Sequence, residues 1–332
     1  MTARPSSLAG KATSTLTSVS AFARRPRVTL VLSIVAAVAF IVLAVFSFRE
    51  IPPLDSWSWQ PLAALMVIWV PASLFLNTAE YRCIARSVDI RLPWRESFIT
   101  ATAAALANML PIPGAAAVRT AAMVKRGGSL LRAGEVNALA AINWVAIAGL
   151  VVSGSFGQEL QGDFAVPALI AACAAGLVLS SLRLASISSW RIVAELSVVE
   201  AAKVASSGAR LYLCFKIIDS PISVANSMAI GASHALASIA GFFPAGLGLR
   251  EALAGGLAKL VDVSPETAVA ATIVDRFTSQ IGIFAVLGGG ALFPKSAARD
   301  VFRRSRTESK DLSGPIATVP SPQAPKPDSA PE

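Results

Sequence analysis

The sequence predicts an all-α polytopic membrane protein built around two broken helical hairpins. Its composition is 54% hydrophobic and only 15% charged, with a mean hydropathy of +0.62. Its apolar runs repeatedly approach the ~20 residues that a bilayer-spanning helix needs. A helix-breaking motif with a following arginine occurs twice, 131 residues apart: Pro113-Gly114 leading to Arg119, and Pro244 with Gly246 and Gly248 leading to Arg250. In lipid every backbone polar group needs an internal partner, so broken helices survive only inside protein or beside a wet cavity. Paired breaks in corresponding halves point to a transporter's binding site.

Residues 1–27 are Ser/Thr-rich and carry Arg4, Lys11, Arg24, Arg25 and Arg27 without an acid, a basic tail that the positive-inside rule places in the cytoplasm. The first span, Val28 to Phe48, is longer than a signal-peptide core and reads as an uncleaved anchor. A second span, Pro61 to Ala85, ends at a cluster that includes Arg82, Arg86, Arg91 and Arg95. Two short helical runs follow, Glu96 to Leu110 and Ala115 to Val124, separated by Pro111-Ile112-Pro113-Gly114 and closed by Lys125-Arg126-Gly127. Cationic flanks on both sides of this segment predict a re-entrant hairpin rather than a crossing.

A span from Glu135 to Ser155 leads to an acidic loop with Glu159 and Asp163, and Phe164 to Leu182 returns to Arg183 and Arg191. A longer, more polar helix runs from Trp190 to Phe215. The second broken segment comprises Ile222 to Phe242, Pro244 to Gly248, and Leu249 to Lys259, closing in an acidic loop at Asp262 and Glu266. The last span is Thr267 to Phe293, before a basic flank and a Pro/Ser-rich tail that should be disordered. The domain reading is therefore a tail at 1–27, a membrane domain at 28–293 and a second tail at 294–332.

Loop charges give about six full spans and two hairpins, with repeat units 61–155 and 190–293 inverted and both termini cytoplasmic. Eight spans in parallel repeats are the alternative, which sets Lys125, Arg126 and Arg132 outside and Glu159 and Asp163 inside.

Ionisable side chains within spans are expensive, about 2.5 to 3.5 kcal/mol at a helix centre on insertion scales, so those present need a partner or a purpose. Glu200, Lys203, Ser207 and Arg210 follow spacings of three, four and three and form one polar stripe. Thr272, Asp275, Arg276 and Ser279 cluster on the last span, while Glu80 and Arg82 sit near the end of the second. Arg119 and the pair Arg250 and Glu251 complete the substrate-binding candidates. Asn108, Pro111, Pro113, Gly114, Pro244, Gly246 and Gly248 form the helix-break motif. A helix broken at Pro or Gly exposes unpaired N–H groups and a partial positive charge, and an arginine fork nearby suits phosphate. Mutual neutralisation between helices is the competing reading of these charges.

No metal or cofactor is expected: His234 is the single histidine, Cys83, Cys173 and Cys214 lack C-x-x-C spacing, and Gly-x-x-x-x-Gly-Lys-Ser/Thr is absent. The net charge of +9 sits in loops and tails beside apolar runs, which reads as topology rather than nucleic-acid binding.

Asn108 through Pro111, Pro113, Gly114 and Arg119, and the run Phe243-Pro244-Ala-Gly246-Leu-Gly248-Leu-Arg250-Glu251 with the later Asp275-Arg276, resemble the membrane domain of bacterial lysylphosphatidylglycerol synthetase/flippases and the stand-alone proteins sharing it. The resemblance covers residues 28 to 293 and implies lipid translocation between leaflets of a bacterial inner membrane. It implies no aminoacyl transfer, since no soluble domain follows. Ala115-Ala116-Ala117 stands where the family often has an acid after the glycine, which bears on the headgroup. The expectation is a non-enzymatic flippase for a phospholipid or other lipid-phosphate, with membrane lipids and a separate lipid-synthesising enzyme as partners. A polytopic lipid-modifying enzyme such as a glycosyltransferase, or a non-transporting partner of a lipid synthase, are the alternatives.

Overall fold

The computed structural model describes residues 57–107, 114–156, 165–239 and 248–291. The predicted tails at 1–27 and 294–332, the first span, the acidic loop with Glu159 and Asp163, and Asn108, Pro111, Pro113, Pro244 and Gly246 lie outside them. The chain divides into two units, residues 1–283 and 284–332; the second is described only in residues 284–291, the last turns of a helix.

All regular structure among the described residues is helical: α1 (Trp59–Ser87), α2 (Trp94–Ala107), α3 (Gly114–Val124), α4 (Leu130–Phe156), α5 (Ala165–Ile187), α6 (Trp190–Ile217), α7 (Val224–Gly231), α8 (Ser233–Ile239), α9 (Leu249–Leu260) and α10 (Pro265–Ala291). Among the described residues four segments are long and apolar enough to cross a membrane: Trp59–Ser87, Leu130–Ser155, Val166–Ile187 and Pro265–Val286. The exterior agrees with that reading. Val67, Ile68, Phe75, Leu179, Val198 and Phe277 are exposed, whereas Glu80, Glu200, Glu251 and Asp275 are buried. A soluble protein would reverse this arrangement.

Helix α1 contains a π-helical stretch at Leu65–Trp69, one residue short of Pro71. Proline cannot donate to the carbonyl four residues back and its ring would clash there, so a widened turn accommodates it. Helices α1 and α6 lie antiparallel: Arg86 meets Glu195, Glu80 meets Lys203, and Ser73 meets Ser206 and Arg210.

Both helices end in the same way. Asp89 and Asp219 take positive φ (63° and 53°), with Ile90 N–H returning to Ala85 O and Ser220 N–H to Phe215 O. Five residues after each aspartate a hairpin begins, α2 at Trp94 and α7 at Val224.

Helices α2 and α3 have 14 and 11 residues, roughly 20 Å or less each, too short to cross ~30 Å of hydrocarbon. They form a hairpin. At its tip a Cβ on Gly114 would lie 2.1 Å from Ala107 O, and at its base Arg126 pairs with Glu96. The second hairpin pairs α7 and α8 with α9, and its base is closed by Asn226 Nδ2 donating to Val261 O at 3.3 Å. Because α1 and α6 run in opposite directions, the two hairpin bases lie at opposite ends of that helix pair.

The first arm of the second hairpin, read in the sequence as one run from Ile222 to Phe242, is interrupted at Ala232. There Gly231 rests on α6 so closely that a Cβ would come within 2.8 Å of Gly208 Cα, and only paired glycines permit the approach. Two apolar cores follow from this arrangement. One packs Tyr81, Ile84, Met123 and Leu196 near the first hairpin, and the other packs Phe215, Ile230, Ala254 and Val274 near the second.

Candidate functional site: two buried ion clusters

The polar stripe of α6 faces inward and joins both hairpins. In the first cluster Glu80 of α1 is shared by two cations: Arg119 Nη2 of α3 donates at 3.0 Å to Oε2, and Lys203 Nζ of α6 lies 2.9 Å from Oε1. Arg119 reaches Glu80 because α3 packs beside the end of α1, where the Tyr81 hydroxyl donates to Arg119 O at 3.4 Å. Lys203 also stands over the Trp144 ring, 3.9 Å from its centroid, a cation–π contact from α4.

In the second cluster Asp275 of α10 is likewise shared by two cations. Arg210 of α6 donates through Nε (2.9 Å) and Nη2 (2.6 Å) to Oδ1, and Arg250 Nη2 of α9 donates to Oδ2. Arg210 also bonds Ser73 at 3.1 Å and the Ser279 hydroxyl. Beside it Arg276 forms an ion pair with Glu251 at 3.2 Å. Glu251 in addition accepts the Gly248 N–H at 3.0 Å, capping the start of α9 where Gly248 holds φ 78°. Lys203 and Arg210 are seven residues apart, so the clusters are stacked ~10 Å apart along α6, each nearer a different end of the bundle.

Glu200 is fully buried and accepts from Asn143 Nδ2, whose side chain also meets Ser197, Ser180 and Ser181. Its other oxygen, Oε1, has no hydrogen-bond partner among the described residues. The same holds for the buried Nε atoms of Arg119 and Arg250. Such orphaned polar atoms are rare in folded proteins. Five cations (Arg119, Lys203, Arg210, Arg250, Arg276) face four carboxylates (Glu80, Glu200, Glu251, Asp275) in this interior, leaving it cationic.

Residues 178–286 match the family of the lysylphosphatidylglycerol synthase TM region. The match covers about a third of the chain, which is in that segment similar to the family's membrane region, and the apolar helices make the chain a multi-pass membrane protein. The match takes in the second cluster and the α6 cations, whereas Glu80 and Arg119 fall outside it. No curated protein matches the chain.

Nine of the ten charged candidates meet in these clusters. Arg82 does not. Its guanidinium lies over Trp94 at 4.7 Å, on the side of α1 away from Glu80, because residues two apart on a helix project to opposite faces. Ser206 rather than Ser207 bonds across to α1, and Thr272 spends its hydroxyl on Ala268 O. Of the helix-break residues, Gly114 and Gly248 are described and start the returning arms α3 and α9. Asn143, Trp144 and Ser73 belong to the site but escaped the sequence reading, since each is a single polar or aromatic residue in an apolar run. His234 contacts Trp144 edge-on at 5.5 Å. Among the described residues no His/Cys/Asp/Glu group could hold a metal.

Proposed function

We propose that this chain is a flippase-type transporter that passes a lipid phosphate between leaflets of a bacterial inner membrane, with no chemical change to it and both termini cytoplasmic. The observation that carries the reading is the shared carboxylate. Glu80 and Asp275 each hold one hairpin arginine and one α6 cation, and each hairpin arginine keeps a buried Nε–H with no hydrogen-bond partner among the described residues. A phosphate entering either level finds an arginine fork already desolvated and oriented, and takes the place of part of the carboxylate's role. Handing the phosphate ~10 Å from one level to the other moves it through the middle of the bundle.

Hairpins based at opposite ends of α1 and α6 support the inverted-repeat reading over eight parallel spans. So do the matching turns at Asp89 and Asp219. The arginine- and lysine-rich end carrying Arg91, Lys125, Arg126 and Arg191 is then the cytoplasmic one.

The test is a reconstituted flipping assay with fluorescent lipids of anionic, zwitterionic and cationic headgroups. Arg119→Ala and Arg250→Ala should each slow movement of phosphate-bearing lipids about 10- to 100-fold, the equivalent of one charged hydrogen bond of ~1.5 to 3 kcal/mol. Wild-type rates in both variants would reject the two-level path.

A further inference from the structure

The displaced Arg82 opens onto a feature that the two clusters do not use. Between the end of α1 and the start of α6 lies a cleft of about 580 Å³, lined among others by Arg82, Arg86, Trp94, Arg191, Glu195 and Val198. Three arginines face one carboxylate. Glu195 is already engaged by Arg86 at 2.5 Å and Arg191 at 3.2 Å, and among the described residues Arg82 meets the Trp94 ring. Val198, 68% exposed, continues the wall away from this charged end along the apolar exterior of α6.

The geometry points to a binding site for one anionic glycerophospholipid of the adjoining leaflet, its phosphate between Arg82 and Arg191 and an acyl chain along Val198. Charge complementarity favours an anion: the cleft carries two more cations than acids. The juxtaposition of charged and apolar walls favours a lipid, because a soluble anion would gain nothing from Val198 or from Trp94, an amphipathic ring suited to the headgroup level. The opposite end of the same helix pair has a second cleft, lined by Ser58, Trp59, Gln60, Lys216, Asp219 and Ser220, where one cation meets one acid. Of these two clefts, the one at the arginine-rich end is the lipid site. It rests on the protein's being in a membrane and not on translocation.

The full chain in nanodiscs of phosphatidylcholine provides the test, with a fraction of either phosphatidylglycerol or phosphatidylcholine brominated on its acyl chains. Quenching assigned to Trp94, taken as wild type minus Trp94→Phe, should be at least threefold stronger with the brominated anionic lipid. The difference should fall to the phosphatidylcholine level in Arg82→Gln/Arg191→Gln. Equal quenching by both lipids overturns the proposal, as does an anionic preference that persists in the double variant. Anionic preference in a protein that moves no lipid would leave this site standing and remove the translocation reading.

Discussion

The two hairpin arginines solve one problem from opposite directions. Arg119 meets its carboxylate on the helix that precedes its hairpin, Glu80 of α1; Arg250 meets its carboxylate on the helix that follows, Asp275 of α10. Counting 130 residues from Glu80, the interval that separates Asp89 from Asp219, reaches Arg210. Acid and base have thus exchanged places between the two units, yet each cluster is still one carboxylate bridging a hairpin arginine and a cation of α6. The difference teaches that the pattern of one carboxylate between two cations recurs although the helices supplying acid and base change.

The clusters are not equal in their reserves, and this yields the largest expected effect. Asp275→Asn strands Arg210 and Arg250 in a buried site whose remaining partners are neutral hydroxyls and carbonyls, a loss of about 3 to 5 kcal/mol for a broken buried pair. Glu80→Gln should cost less, because Glu200, three residues from Lys203 on the same helix, lies within range of its charge. Urea unfolding of the detergent-solubilised variants measures both. An equal or larger loss in Glu80→Gln would show that Glu200 does not serve as a reserve.

Much of this arrangement was legible in the sequence because it rests on local rules. The 3-4-3 spacing placed Glu200, Lys203 and Arg210 on one face of α6, and Pro/Gly breaks located α3 and α9 to within a residue or two. Partners across helices were not legible, because sequence separation carries no information about which faces meet. Asn143 and Trp144 look like ordinary residues of an apolar span until α4 packs on α6. Arg82 was grouped with Glu80 by nearness along the chain, although two residues along a helix amount to about 200° around it.

The tip glycines sharpen the comparison at an intermediate scale. Gly114 is required for space: any Cβ would collide with the Ala107 carbonyl, so Gly114→Ala should cost about 1 to 3 kcal/mol through overpacking. Gly248 is required for conformation, since its φ of 78° disfavours a side chain by about 1 to 2 kcal/mol. Combining Gly248→Ala with Glu251→Ala separates the two causes. Glu251→Ala also strands Arg276, so most of its loss should persist in the double variant. A shortfall from additivity measures the part that the cap contributes through the turn, and strict additivity would mean that turn and cap are independent.

The smallest effect lies at the hairpin bases, and there the two units differ in chemistry as well as in place. Arg126 with Glu96 closes the first base as an ion pair, its side chains 48% and 37% exposed. Exposed pairs contribute about 0.2 to 1 kcal/mol and are screened by salt. Asn226 closes the second with a neutral hydrogen bond to Val261 O. Arg126→Ala should therefore destabilise slightly in dilute buffer and hardly at all near ~1 M salt, where the screening length falls to ~3 Å. Asn226→Ala should cost about 0.5 to 1.5 kcal/mol at either salt concentration. Unfolding midpoints of the two variants at low and high salt decide the matter. A salt-independent loss in Arg126→Ala would mean that its guanidinium holds the first hairpin by packing rather than by charge, bringing the two bases closer in kind than their residues suggest.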